Sequence, residues 1–482
     1  MKKIIYILML LAGLTVIESC TKNFEDFNTD TKRASEVPGD FLFSNAQKNL
    51  ADQMASVNVN LNVFTLWAQY WTETTYTDEA NYDLVTRNIA DAQFRILYRD
   101  IIADLREARR VVEAETAIGE EQEAIKVNKL NMITITEGFA WNYLVSIFGD
   151  IPYSEAIAED NNLPVYDDAH TIYLDILAKV KEATTTLNDT YGGFSTADLF
   201  FAGDVAMWKK LGNSLQVKIA ITLADVDAAT AQSYIEDAVT AGVFEPGETA
   251  QVIYPGGSNS NPIYNDLVAS GRNDFVPANT IVDMMNTLED PRRDNYFTYV
   301  EDTEIYEGGI YGETSPFGQL SHVADPIQDP TYPVTLLDYT EVAFYLAEAA
   351  ARGWSVGGTA EEWYNEGITS SILSWGGTQE EADAYLAKPE VAYATAEGTW
   401  QQKIGTQEWL AFYTRGLEGW TTWRRLDYPI LNVPPGVDTY GEIPVRFTYP
   451  ITEQTLNADN FGAASSAIGG DELTTPLFWD VQ

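Results

Sequence analysis

Trp208-Lys209-Lys210-Leu211-Gly212-Asn213-Ser214-Leu215 sets an aromatic, a leucine, a glycine and a second leucine on one helical face. Residues three and four apart meet on that face, and a glycine there lets a second helix come close. Ala360, Tyr364 and Gly367 vary the theme as small, aromatic, small, after Leu346-Ala347-Glu348-Ala349 and a break at Gly353. Ala169, Tyr173 and Ile176 echo it with a larger final residue. In each trio the small residues admit a neighbouring helix and the aromatic fills the gap between the two. One such pair cannot bury its own face, so several must stack.

The spacing W-x2-L-G-x2-Y marks the first helix of a tetratricopeptide unit, and Leu215 is the one departure from it here. The expected fold is mostly α, a tetratricopeptide-like scaffold of helical pairs. Helical periodicity runs through most of Phe41 to Ala250. Phe94, Leu97, Tyr98, Ile101, Ile102, Leu105 and Ala108 paint one apolar stripe, and Thr134 to Phe148 reads as a helix ended by Gly149 and Pro152. Between Gln251 and Asp338, Gly256-Gly257, Pro262, Gly308-Gly309, Pro316, Pro326, Pro330 and Pro333 break the period. The tail after Asp427 is similar. These stretches hold too much Tyr, Phe and Ile for linkers and read as ordered loops over the helical layer, with little strand. The expected organisation is one domain over 20–482, with helical repeats at about 40–250 and 338–425 and irregular inserts at about 251–337 and 426–482.

Apolar residues make up 45% of the 482, enough for a sizeable core. The 72 acidic residues against 29 basic ones give a net charge of −43, which repels phosphates and argues against a nucleic-acid partner. Most of that acidity reads as solvated surface. Aromatics reach 12%, and those not needed for packing suit half-exposed binding surfaces. With Cys20 as the single cysteine, no intrachain disulfide can form. His170 and His322 lie in no local catalytic or metal-binding motif, so neither a histidine-rich metal site nor a Ser-His-Asp triad is expected. A carboxylate-only calcium site stays open, with no ligands assigned.

At the front, Lys2 and Lys3 precede an apolar run from Ile4 to Ile17. That run is shorter than the ~20 residues needed to span a bilayer, and it reads as a secretory signal over 1–19. Ile17-Glu18-Ser19-Cys20 resembles a bacterial lipobox, with Glu18 an unusual middle residue, and makes Cys20 the expected lipidation site. Lys22, Glu25 and Asp26 follow as an expected signal for the cell's outer face.

Five further stretches resemble the SusD/RagB-like family of nutrient-binding lipoproteins, and its second SusD-like type most. They are Val145-Ser146-Ile147-Phe148-Gly149-Asp150-Ile151-Pro152-Tyr153-Ser154-Glu155-Ala156, the helix Glu341 to Ala349, Trp423 to Pro429, Ile443 to Pro450, and Thr475-Pro476-Leu477-Phe478-Trp479-Asp480. They occur in the family's order along the mature chain; Phe478 stands where the family has a tryptophan. The resemblance implies a scaffold of about eight helices under a loop-rich layer, lipid-anchored on the outer membrane and facing the medium. It implies a lid that captures an oligosaccharide or peptide and delivers it to a SusC-like TonB-dependent transporter, without catalysis and without a cofactor.

For the ligand, the best cluster is Trp67, Gln69, Tyr70, Trp71, Glu73 and Tyr76, followed by Asn81 and Tyr82. Aromatic planes stack on sugar faces while amides and carboxyls bond hydroxyls. By region, the resemblance adds Arg272, Asn273 and Phe275 through Tyr311. The competing reading makes Trp67, Tyr70 and Trp71 an i, i+3, i+4 core stripe. Arg424 and Arg425 are expected to tie the tail to the acidic scaffold through carboxylates. Two other functions compete: a secreted glycoside hydrolase, which needs two carboxylates about 5–9.5 Å apart, and a helical-repeat adhesin or assembly protein.

Overall fold

The computed structural model describes residues 37–158, 160–435 and 442–481, so the signal segment and Cys20 lie outside the described residues. The scaffold is a succession of helix pairs. Helix α1 (Gly39–Ala55) packs on α2 (Ala103–Ala114), and α3 (Glu120–Phe148) on α4 (Ala169–Thr186). Next, α5 (Val205–Thr222) packs on α6 (Ala228–Ala241), and α7 (Tyr339–Ala351) on α8 (Ala360–Ser374). A further pair, α9 (Trp400–Ala411) and α10 (Gly416–Leu426), closes the series. Successive pairs are joined by contacts of α2 with α3, α4 with α5, α5 with α7 and α7 with α9. The first four pairs match the expected helical scaffold.

Local chemistry sets the helix ends. The side chains of Asp168, Asp204, Asp227 and Asp338 each accept a first-turn backbone N–H, and Thr359 with Glu362 forms a full capping box. Gly149, at φ +81°, stops α3 as expected. The repeat signature acts through close approach. A Cβ on Gly367 of α8 would touch the Phe344 ring of α7 at 3.0 Å, and Trp208 of α5 is fully buried, its indole N–H donating to Asp198 at 2.7 Å.

The apolar stripe from Phe94 to Ala108 passes through a π-helical stretch, Ile96–Ile102, before α2. Leu97, Ile101, Ile102, Leu105 and Ala108 are buried, whereas Phe94 and Tyr98 are only half-buried. Residues 56–88 depart from the expected helix, holding only the short helix Phe64–Trp67 and strand β1 (Trp71–Glu73). The insert after α6 contributes β2 (Thr249–Val252), β3 (Phe275–Pro277) and β4 (Val334–Asp338). They form two antiparallel ribbons, β1 with β3 and β2 with β4. The inserts also carry helices at Asn279–Leu288 and Ala458–Ala467.

Some of the acidity is internal. Lys218 of α5 lies 2.7 Å from Glu341 and 3.0 Å from Glu418, and Arg415 bridges Glu341 and Asp338. Arg425 pairs with Glu348, as expected. Arg424 does not follow the expectation. Its guanidinium donates to the carbonyls of Ser146 (2.7 Å) and Val445 (3.0 Å) and lies between the rings of Trp420 and Trp479, 3.5 and 4.9 Å from their centres. Buried carbonyl oxygens, the Thr421 hydroxyl and ring faces meet its charge directly, and the Asp480 carboxylate acts on it from further off.

Candidate ligand-binding site

The β1·β3 ribbon joins the two regions singled out from sequence, which are far apart along the chain. Trp71 pairs with Pro277, Thr72 with Val276 and Glu73 with Phe275. Beyond the strands, the Thr74 N–H donates to the Asp274 carbonyl (2.8 Å), the Thr74 hydroxyl to that of Asn273 (2.6 Å), and the Asn81 amide to that of Gly312 (2.9 Å). Tyr76 follows β1 and Arg272 precedes β3, and both line one cavity.

Most of the expected stacking rings are structural. Trp67, Tyr70 and Trp71 are buried, which is the core-stripe reading. The Trp67 indole donates to the Glu79 carbonyl (3.3 Å), the Tyr70 hydroxyl to the Trp409 carbonyl (2.6 Å) and the Trp71 indole to the Tyr413 hydroxyl (2.9 Å). Gln69 is equally enclosed: its amide donates to the Asn432 carbonyl, and its oxygen accepts from Thr280 and the Asn432 N–H. Tyr82 and Tyr311 face one another under the surface, ring centres 6.5 Å apart. The physical reason is tertiary. This stretch is the floor on which α9, α10 and the tail dock, so its large rings are covered from the far side.

What stays open is a cavity of about 270 Å³ beside the ribbon. Tyr76, 62% exposed, stands at its edge, with the exposed Arg272 and the buried Glu73 and Phe275 also lining it. Asn273 is exposed next to Arg272, and Asn81 is half-buried. Arg272 is held by Asp274 (3.1 Å). The structure adds Asn58, Asn60, Arg87, Asp266 and Ser270, none of them singled out from sequence. The Asn-Val-Asn-Leu-Asn run at 58–62 carried a signal for the two asparagines alone, because alternating asparagines mark a turn with amides on its outside.

The electrostatics of the wall are unusual. Burial and a hydrogen bond with Glu79 push the Glu73 carboxyl up to about 9, while its oxygen accepts the Ala80 N–H at 3.0 Å. Glu79 in turn is ion-paired to Arg87. The raised value favours the protonated form of Glu73, whose proton is shared with Glu79. The cavity thus combines one exposed ring, amides and hydroxyls with two guanidiniums, each paired to a carboxylate, and the carboxyl of Asp266. Among the described residues no cluster of His, Cys, Asp or Glu is arranged to hold a metal ion, and no helix is long and apolar enough to cross a membrane.

Residues 31–450 match the second type of SusD-like proteins, described as starch-binding and associating with the outer membrane. The chain belongs to the SusD-like family. Its members are binding proteins, not enzymes. Solved SusD-like structures agree over nearly the whole fold. A chitin-binding protein is 25% identical with a TM-score of 0.80, the match covering 92% of this chain and 100% of that one. A SusD homologue from Bacteroides uniformis is 26% identical with a TM-score of 0.76 over the same shares. A SusD-like protein of Bacteroidetes, 22% identical with a TM-score of 0.82 and again 92% and 100% covered, shares the fold. No curated protein matches the chain.

Proposed function

We propose that this SusD-like chain captures an oligosaccharide at the outer face of the outer membrane and delivers it to a SusC-like TonB-dependent transporter. Acyl groups on Cys20 would hold it there, since several lipid chains anchor durably at ~0.8 kcal/mol per buried CH₂. The observation that carries the binding role is the 62% exposed Tyr76 ring beside an amide- and hydroxyl-lined cavity. A flat apolar face flanked by hydrogen-bonding groups is what a pyranose ring requires. The starch-binding description of the family and the chitin-binding relative support glucans and N-acetylglucosamine polymers as the first ligands to try.

The test is calorimetry of the mature protein with maltoheptaose and chitohexaose, repeated with Tyr76→Ala. Binding of either sugar, weakened roughly tenfold or more by the substitution, is expected, because one aromatic contact contributes on the order of 1–2 kcal/mol. Unchanged affinity in the variant removes Tyr76 from the site. Co-purification of the wild-type protein, but not of Cys20→Ala, with an outer-membrane barrel tests the anchor and the transporter together.

A further inference from the structure

A second cavity, of about 520 Å³, lies between the β2·β4 ribbon and helices α7, α8 and α9, and shares no lining residue with the first. We infer that it is a second saccharide-binding site, built around Trp375 and Tyr332. Three observations carry this.

Hydrogen-bonding capacity in the cavity is unspent. Gln251 of β2, Thr335 of β4 and Asn295 make no side-chain hydrogen bond among the described residues, and the hydroxyl of Thr249 is buried without a partner. Amides and hydroxyls both donate and accept, which is what a sugar hydroxyl demands of its neighbours.

Aromatic rings line the cavity. Trp375, at the end of α8, is half-buried and braced edge-to-face by Tyr296 at 4.4 Å, which leaves the indole fixed at the cavity wall with its N–H unpaired among the described residues. Tyr332 is half-buried on the β4 side. A braced ring costs little entropy when it binds.

Charge is spent inside the protein. Arg415 is engaged by Asp338 and Glu341, and Glu248 by Lys210 at 2.7 Å. In a chain of net charge −43 the lining therefore offers neither an unpaired cation for an anion nor a cage of free carboxylates for a divalent metal. A neutral polyol is the ligand class that fits, and the cavity is of the size of small-molecule sites, about 300–1,000 Å³. Two saccharide sites on one chain would give avidity for a polymer that a single site lacks.

The inference rests on the reading of the chain as an oligosaccharide binder, and the experiment separates the two sites. Crystals of the mature protein are soaked in chitotriose or maltotriose, and the same sugars are titrated into wild-type protein, Tyr76→Ala and the double variant Asn295→Ala/Thr335→Ala. Both substitutions in the double variant fall on half-buried polar side chains without intramolecular partners, so the fold is expected to persist. The expected result is sugar beside both Trp375 and Tyr76, with two molecules bound per chain in wild type and one in each variant. Sugar beside Tyr76 alone, with stoichiometry untouched by the double variant, overturns this inference and leaves the proposed function standing. Sugar beside Trp375 alone sustains the inference and overturns the Tyr76 site. Sugar at neither overturns both.

Discussion

Gly212 of α5 faces Thr184 of α4 so closely that a Cβ added at the glycine would fall 2.0 Å from the threonine Oγ1 and 3.1 Å from its Cβ. Rotating the threonine offers no escape, because its hydroxyl is already bonded to the Val180 carbonyl at 2.6 Å. Gly212→Val is therefore expected to destabilise the protein by about 2–3 kcal/mol through overpacking, which outweighs the small gain in helix propensity over glycine. Urea unfolding measures it. A loss below the roughly 0.5 kcal/mol typical of surface changes would mean that α4 and α5 do not pack through this residue.

Trp71 and Tyr76 stand five residues apart and should fail in opposite ways. Trp71→Ala removes a ring with 1% exposure and its bond to Tyr413, so it should cost about 3–5 kcal/mol of stability. Tyr76→Ala should leave the unfolding midpoint nearly unchanged and weaken sugar binding. A stable Trp71→Ala protein would contradict the core assignment of this stretch.

Glu73 should make stability depend on pH. Its carboxyl titrates near 4.5 in the unfolded chain and is raised to about 9 in the fold, so between those values the folded state holds a proton that the unfolded state has released. Stability from this group is full below about pH 4.5 and falls as pH rises toward 9. In Glu73→Gln that slope should shrink, as read from urea midpoints at pH 5, 7 and 9. Equal slopes in the two proteins would show that Glu73 is ionised in the fold.

Arg424 fastens the tail to α3 and α10 without a salt bridge. Arg424→Met keeps the aliphatic stem between Trp420 and Trp479 but strips the donors from the Ser146 and Val445 carbonyls. Each buried acceptor left unpaired costs about 1–3 kcal/mol. The variant should unfold earlier in urea and release the segment after Leu426 to limited proteolysis sooner. Cleavage at the wild-type rate would show that the tail is held by other contacts.

Much of the scaffold was legible in the chain itself. The three-and-four spacing of aromatic and small residues around Trp208, Tyr364 and Tyr173 located α5, α8 and α4, because helix pairing is written in residues three and four apart. Gly149 and Pro152 marked the end of α3 for an equally local reason. The breaks between Gln251 and Asp338 marked the irregular layer, although not the strands β3 and β4 within it, which hold too few residues to show a period of two. The cavity was half legible: Tyr76, Glu73, Arg272 and Phe275 were singled out, whereas Arg87, Asp266 and Ser270 carried no pattern of their own.

Periodicity and composition thus determined that helices form, where they stop and which faces must be covered, since those follow from a few neighbouring residues. They were silent on which of Trp67, Tyr70, Trp71 and Tyr76 meets solvent. That was decided when residues more than three hundred positions downstream, among them Trp409, Tyr413, Trp420 and Phe447, closed over the first three and left the fourth uncovered. An aromatic side chain is the same molecule in a core or at a binding surface, and only the partner brought against it by the folded chain sets its role.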